Sequence, residues 1–431
     1  MRMMGSVVEY FGLRATPRFG NMTPMSEPSN LVDTCLRQGV QFPHPDSVYI
    51  DPAVNSERIA PGVVIHPGCR ILGRETSIGP GCILGAEAPV TLDSCQLGTG
   101  ICLQGGAFAS STFLNRSSMG SGAHIRAGTL VEEEAGGAHT VGLKQTILLP
   151  HVVLGSLINF CDCLMAGGIS RKDHSEVGSS YVHFNYTPHR DKAAASLFGD
   201  VPHGVMMDQP AIFLGGQGGA VGPVRVTFGV TVPAGSILRK DVLQPGLIFP
   251  APPASAATVP FQPGAYRSIQ RILTNNLNYL GNLAALCAWY REVRALFMQA
   301  DPFQHACWVG ALAGLKTVFQ ERIHRLNELA SNMPRSLDYA RSAEPETRLG
   351  QPPYDLQQRF MDRWPEMKAN LLSADHLTGS LRERDAFLAT VSGIPAHTDY
   401  LAAMKALEPG EKAIGTRWLQ SIVEQVADFG F

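Results

Sequence analysis

Charge is scarce in this sequence. Asp, Glu, Lys and Arg make up 17% of 431 residues, against roughly 25% in an average globular chain. What charge there is nearly cancels, with 35 basic and 37 acidic residues. That balance supplies no electrostatic footprint for a polyanion, so nucleic acid is not expected as a partner. No apolar run approaches the roughly 18 residues of a spanning helix, so no membrane partner is expected either. The opening MRMMGSVVEYFGLRATPRFG has no apolar stretch followed by a small-residue cleavage site, and reads poorly as a secretory signal. The nine cysteines are odd in number and lack paired spacing. They point to a reducing cytoplasm and to core positions rather than to a disulfide framework.

Glycine, by contrast, is plentiful and uneven. Residues 51–250 hold 30 of the 44 glycines, and residues 261–431 hold 10. Between them runs PAPPASAATVPFQPG, a Pro/Ala stretch that neither a helix nor a central strand tolerates. The expected organisation is an N-terminal segment (1–46), a Gly-rich unit (47–249), a linker (250–264) and a C-terminal unit (265–431).

The Gly-rich unit is periodic. Large aliphatics recur at Ile59, Ile65, Ile71, Ile78, Leu84, Val90, Leu97 and Leu103, with spacings of six or seven. They open units such as IAPGVV, IHPGCR and IGPGCI. A period of six fits neither a helix nor an alternating strand. It is the repeat of a parallel β-helix, in which three hexads close one triangular coil and stacked coils share a core. The phase is lost near 108–118, 132–139, 164–176 and 185–210, where loops or distorted coils are expected. Beyond the linker, Ile269, Ile272, Leu273, Leu277, Leu280 and Leu283 advance by threes and fours. That spacing predicts a helix of about 30 residues. Further helices are expected near 303–333, 354–372, 380–391 and 411–427. The fold class is therefore mainly β with an α tail. Within the first tail helix, TNNLNYLGN packs four asparagines into nine residues, which need partners either on the β-helix turns or in a ligand pocket.

Several segments go beyond the repeat: HIRAG around Arg126, VGLKQT around Lys144, GSLINFCD at 155–162, and VGSSYVHFNYTPHRDK at 177–192. With these, residues 47–248 resemble the acetyltransferase half of bifunctional N-acetylglucosamine-1-phosphate uridylyltransferase/glucosamine-1-phosphate acetyltransferases. The resemblance implies a left-handed β-helix and a homotrimer with sites between neighbouring β-helices. It implies a sugar phosphate or nucleotide sugar, such as UDP-N-acetylglucosamine, as the bound partner, and acyl-CoA as the donor cofactor. On the sugar side it places Arg126, Lys144, Asn159, Asn185, Tyr186 and Lys192. A guanidinium fork beside an ammonium suits a phosphate dianion. Along the donor it places Ser179, Gly216 and Ala234. The family's nucleotidyl-transfer loop has no counterpart in this sequence, so pyrophosphorylase activity is not implied.

The catalytic side departs from the family. Ser156 stands where the general base stands, Asn159 replaces a Tyr, Glu176 replaces an Asn, and the CoA-binding Arg falls near Ala251 in the linker. A Ser hydroxyl has no ionisation near neutrality and cannot deprotonate an ammonium as an imidazole does. His183, beside the Asn185–Tyr186 pair, is the replacement acid/base expected here, supplied from a neighbouring subunit with Glu176 to orient it. His139, His151, His189 and His203 are the other imidazoles that could serve as that base from a neighbouring subunit. The spacing of these histidines does not reproduce a three-His zinc centre, so no metal is expected. Three readings follow: an acyltransferase-like transferase, a non-catalytic nucleotide-sugar binder or sensor, and other acid/base chemistry on a nucleotide sugar.

Overall fold

The computed structural model describes residues 31–183, 192–253, 258, 261–266, 268–342, 354–395 and 398–429. Asn185, Tyr186 and His189 lie outside the described residues. After a short helix α1 (Leu31–Arg37), the chain winds into a left-handed parallel β-solenoid of about ten coils. Each coil contributes one short strand to each of three faces. The first face is a nine-stranded parallel sheet, and the second and third are joined into one sixteen-strand sheet. The join is made by Val141–Leu148 and Ile158–Met165, which round the corner without a break. Gln145 (φ 49°) and Asp162 (φ 56°) sit at that corner in the left-handed region.

The register explains why a six-residue period specifies this shape. Ile65 lies under Leu84, and Leu84 under Leu103, all fully buried. Each such side chain contributes about 1.5–3 kcal/mol by leaving water. The shared Gly of IAPGVV, IHPGCR and IGPGCI takes φ of 77°, 77° and 70° at Gly62, Gly68 and Gly81. Those conformations are costly for a residue with a Cβ. One position of the expected file moves. The register pairs Ile71 with Leu92 and Leu92 with Phe108, so Leu92 occupies the centre of the stack and Val90 opens the strand Val90–Asp93. The longer corner GAEAP pushes the centre two residues on.

Two of the four stretches where the hexad phase fades remain regular coil. Strands Ser111–Phe113, Ser118–Met119 and Gly136–Gly137 pair in register through 108–118 and 132–139. Spacings of five from Leu103 through Phe108 to Phe113 shift the period in the first, and Gly137 takes the place of the aliphatic in the second, while the interior stack of Leu97, Phe113 and Val131 is kept. Between 164 and 176 the coil is interrupted by an antiparallel pair, Gly168–Ser170 with Asp173–His174. After residue 192 the chain returns through strand Ser196–Phe198 and the short helix α2 (Val201–Gly204).

The tail is helical, as its period predicts. Helix α3 (Gln270–Trp289) runs through one π-helical turn, Tyr290–Arg294, into α4 (Ala295–Met298). Then follow α5 (Pro302–Ser342), α6 (Tyr354–Leu372), α7 (Leu381–Ser392), α8 (Tyr400–Ala406) and α9 (Pro409–Ala427). One buried apolar core continues from the coils into these helices. α5 lies along the third face, where Gly310 meets Gln96 and Thr112 so closely that a Cβ would collide. Three of the four asparagines of α3 dock on the coils, and Asn278 donates to the Thr274 carbonyl within the helix. Asn275 Nδ2 donates to Asp241 Oδ1 at 2.9 Å, Asn276 Nδ2 to the Ala193 carbonyl at 3.1 Å, and Asn282 Oδ1 accepts from the Val201 amide at 2.7 Å. From the π turn, Tyr290 Oη donates to Glu132 at 2.7 Å and Arg294 pairs with Glu133 at 2.6 Å, all buried.

Candidate functional site

With α5 on the third face, the second face and its two corners carry the candidate residues as three parallel files. Successive coils in a sheet sit about 4.8 Å apart, so each file presents side chains at that interval.

The corner between the second and third faces carries cations. The Arg126 amide bonds the Leu143 carbonyl, which sets Arg126 beside Lys144. Lys144 pairs with Cys161, and His183 follows on the next coil. Arg126 Nη2 reaches Cys161 Sγ at 3.6 Å. Among the described residues, neither Arg126 nor Lys144 forms an ion pair with a carboxylate. Beneath this file lies a residue that the hexad reading missed. Arg322 of α5, itself buried, donates to Asp162 Oδ1 at 2.8 Å and to the Ala194 carbonyl at 2.9 Å. Burial holds the Asp162 carboxyl above its usual range, against the pull of Arg322. The only signal for Arg322 in the sequence was a helix-face arginine, which normally reads as solvated. Lys192 is exposed (φ 55°), two residues before Ala194.

Between the corners, Gly142, Asn159, Tyr181 and Gly219 form the middle file by register. Asn159 is exposed, flanked by a glycine on one side and Tyr181 on the other. The corner between the first and second faces holds small residues. Backbone bonds align His139 with Ser156, Ser179 with Gly216, and Gly216 with Ala234, while the pairing of Leu154 with Val177 links Ser156 to Ser179. Ser156, Ser179, Gly216 and Ala234 thus run along one edge over four coils. Of these, Ser156, Ser179 and Gly216 are half-buried and Ala234 is exposed. At the lower end of the edge Ser156 Oγ lies 2.8 Å from His139 Nδ1.

His183 and Glu176, the expected acid/base pair, stand on different faces of one chain. His183 Nε2 lies 2.5 Å from Ser196 Oγ, which also accepts the Val224 amide. Burial, then the nearby Arg322, pushes the imidazole down to about 3. It is held neutral and tied into the wall. Glu176 faces outward on the first face, in register with Val153 and Phe213, whereas His183 closes a strand of the second. Within one chain Glu176 does not orient His183. Cys161 and Cys163 straddle the corner at Asp162, one half-buried and one buried.

No family model matches the chain. Curated proteins do. The chain is 28% identical over 208 residues to the bifunctional protein GlmU of Pelobacter propionicus, covering 48% of this chain and 40% of that protein. With GlmU of Synechococcus elongatus the identity is 26% over 204 residues, 47% of this chain and 40% of the relative. With GlmU of Nitratidesulfovibrio vulgaris strain DP4 it is 26% over 235 residues, 53% and 47%. The resemblance is to GlmU. Together with the β-solenoid it fits the acetyltransferase half of GlmU. The chain spans less than half the length of these GlmU relatives. No helix among the described residues is long and apolar enough to cross a membrane.

Proposed function

We propose that this protein binds a sugar phosphate or nucleotide sugar on the second face and transfers an acyl or similar group to it. The observation that carries this reading is the file of Arg126 and Lys144 on consecutive coils, neither in an ion pair among the described residues, and beside exposed Asn159. Two adjacent cations suit a phosphate dianion. Asn185, Tyr186 and Lys192 complete the sugar side in this reading. Acyl-CoA lies along Ser156, Ser179, Gly216 and Ala234, where it supplies an acyl group activated as a thioester.

The assembly in this reading is a homotrimer near 140 kDa, from a chain of 46.4 kDa. α5 occupies the third face, which leaves the first two for neighbouring β-helices. Leu157 and Tyr181, each 54% exposed, are apolar surface that such a neighbour would cover.

A second reading, a non-catalytic binder or sensor of a nucleotide sugar, draws on the neutral, wall-bound His183 and on Glu176 facing away from it. A thermal-shift screen with UDP-N-acetylglucosamine, amino sugar 1-phosphates and acetyl-CoA tests both. A ligand at 100 times its Kd adds about 2.7 kcal/mol of stability. Stabilisation by sugar phosphate and acetyl-CoA supports the transferase. Stabilisation by nucleotide sugar alone supports the binder. No response to any sugar ligand overturns both.

A further inference from the structure

We propose that His139 is the general base of this site and that Ser156 is its positioning residue. This rests on the transferase reading above and assigns that reading its missing imidazole. His183 is tied to Ser196 and Glu176 faces elsewhere. His139 stands on the coil below Ser156, exposed at the end of the small-residue edge, with Nδ1 2.8 Å from Ser156 Oγ. A hydroxyl at one ring nitrogen fixes the orientation of the imidazole and, by donating or accepting there, is linked to which nitrogen carries the proton.

The contact permits two arrangements. If Ser156 donates to Nδ1, the pair is a nucleophile and its base. Such a base is ordinarily held in place by a third group on its other nitrogen. Among the described residues nothing holds His139 Nε2. If instead Nδ1–H donates to Ser156 Oγ, Nε2 keeps its lone pair, on a side chain that is exposed at the corner between the first and second faces. The second arrangement uses every group in view. In the transfer step, the acceptor nitrogen or oxygen of the sugar forms a bond to the acyl carbon as the bond from that carbon to sulfur breaks. His139 Nε2 takes the proton that the acceptor loses and returns it to the departing thiolate. Ser156 forms no bond to the acyl group.

The sequence hides this pair. His139 lies 17 residues before Ser156, and only the coil length of the solenoid brings the two together. A base displaced by one coil lands at the same corner.

The test combines ring-nitrogen NMR on the full chain with turnover. His139 signals are assigned by difference with His139→Gln, in wild type, Ser156→Ala and Ser156→Thr. The proposal expects an Nδ1–H tautomer at His139 in wild type, a shift toward Nε2–H in Ser156→Ala, and a return in Ser156→Thr. With acetyl-CoA and glucosamine 1-phosphate, His139→Gln should lower kcat by roughly 10²–10⁴-fold with little change in the binding of either ligand. Ser156→Ala should lower kcat less and displace the pH profile. An Nε2–H tautomer in wild type, a tautomer unmoved by Ser156→Ala, or full turnover by His139→Gln overturns the assignment. So does an acyl mass adduct on Ser156, which would make the hydroxyl the nucleophile. If the tautomer behaves as expected but neither acetyl-CoA nor any sugar phosphate binds, the transferase reading fails, and the base role with it.

Discussion

Arg322 of α5 donates to Asp162 at the solenoid corner across 2.8 Å, joining residues 160 positions apart in the sequence. The pair sits under the cation file of the candidate site, so the helical tail is structurally part of the wall that carries Lys144 and Cys161. Removing one partner of a buried ion pair leaves the other charge unpaired, at a cost of about 3–5 kcal/mol. Arg322→Ala should therefore lower unfolding free energy in urea by that amount, while Arg322→Met with Asp162→Asn should recover most of it. A loss below about 1 kcal/mol for Arg322→Ala would mean that the tail does not support this corner.

Lys144 should behave in the opposite way. It is half-buried, makes no ion pair among the described residues, and stands outside the apolar stack. Lys144→Ala should leave the Tm nearly unchanged and weaken anionic sugar ligands by about 1.5–3 kcal/mol, the worth of a hydrogen bond to a charged group. Calorimetric titration with a sugar phosphate reads this directly. Unfolding of the variant would assign Lys144 to structure.

Acid should destabilise the protein through His183. Its folded ionisation is pushed down to about 3 by burial, while the unfolded imidazole titrates near 6.5. Between those values the unfolded chain holds the extra proton, so stability falls as pH drops through 6.5. His183→Gln should flatten that loss by on the order of 1–2 kcal/mol at pH 5. His151, pushed down to about 4 by burial and then by Lys405, against the pull of Glu134, adds to the same slope. An unchanged slope in denaturation midpoints from pH 7 to 5 would show that His183 is solvated.

Glu132 has the reverse sign. Burial first, then Glu133 beside it, pushes its carboxyl up to about 7, against the pull of Arg294. From the unfolded carboxylate value to about 7 the folded chain holds the extra proton, so this contribution is full at low pH and is lost as pH rises through that window. Glu132→Gln keeps an acceptor for Tyr290 and removes the charge. It should raise stability above pH 7 by up to ~3 kcal/mol and change little at pH 4. Equal effects at both pH values would show that Glu132 is ionised throughout.

Much of this molecule is determined by the sequence alone. A six-residue spacing of aliphatics with glycine at the corners is satisfied by a three-faced solenoid, because only that winding returns every sixth side chain to one interior. The three-and-four spacing after residue 264 likewise determines the helices, since local periodicity selects the element that buries the apolar stripe. Tertiary structure decided the rest. The exchange of Val90 for Leu92 depends on how long one corner is, and that length shows only when strands pair across coils. α5 closes the third face because its small residues fit Gln96 and Thr112 some 200 residues earlier. The burial of His183, the separation of Glu176 from it and the meeting of His139 with Ser156 all follow from coil register. In a solenoid, neighbours in space are one coil apart in the chain. A linear motif read along the sequence therefore names the residues of a site without showing which of them touch.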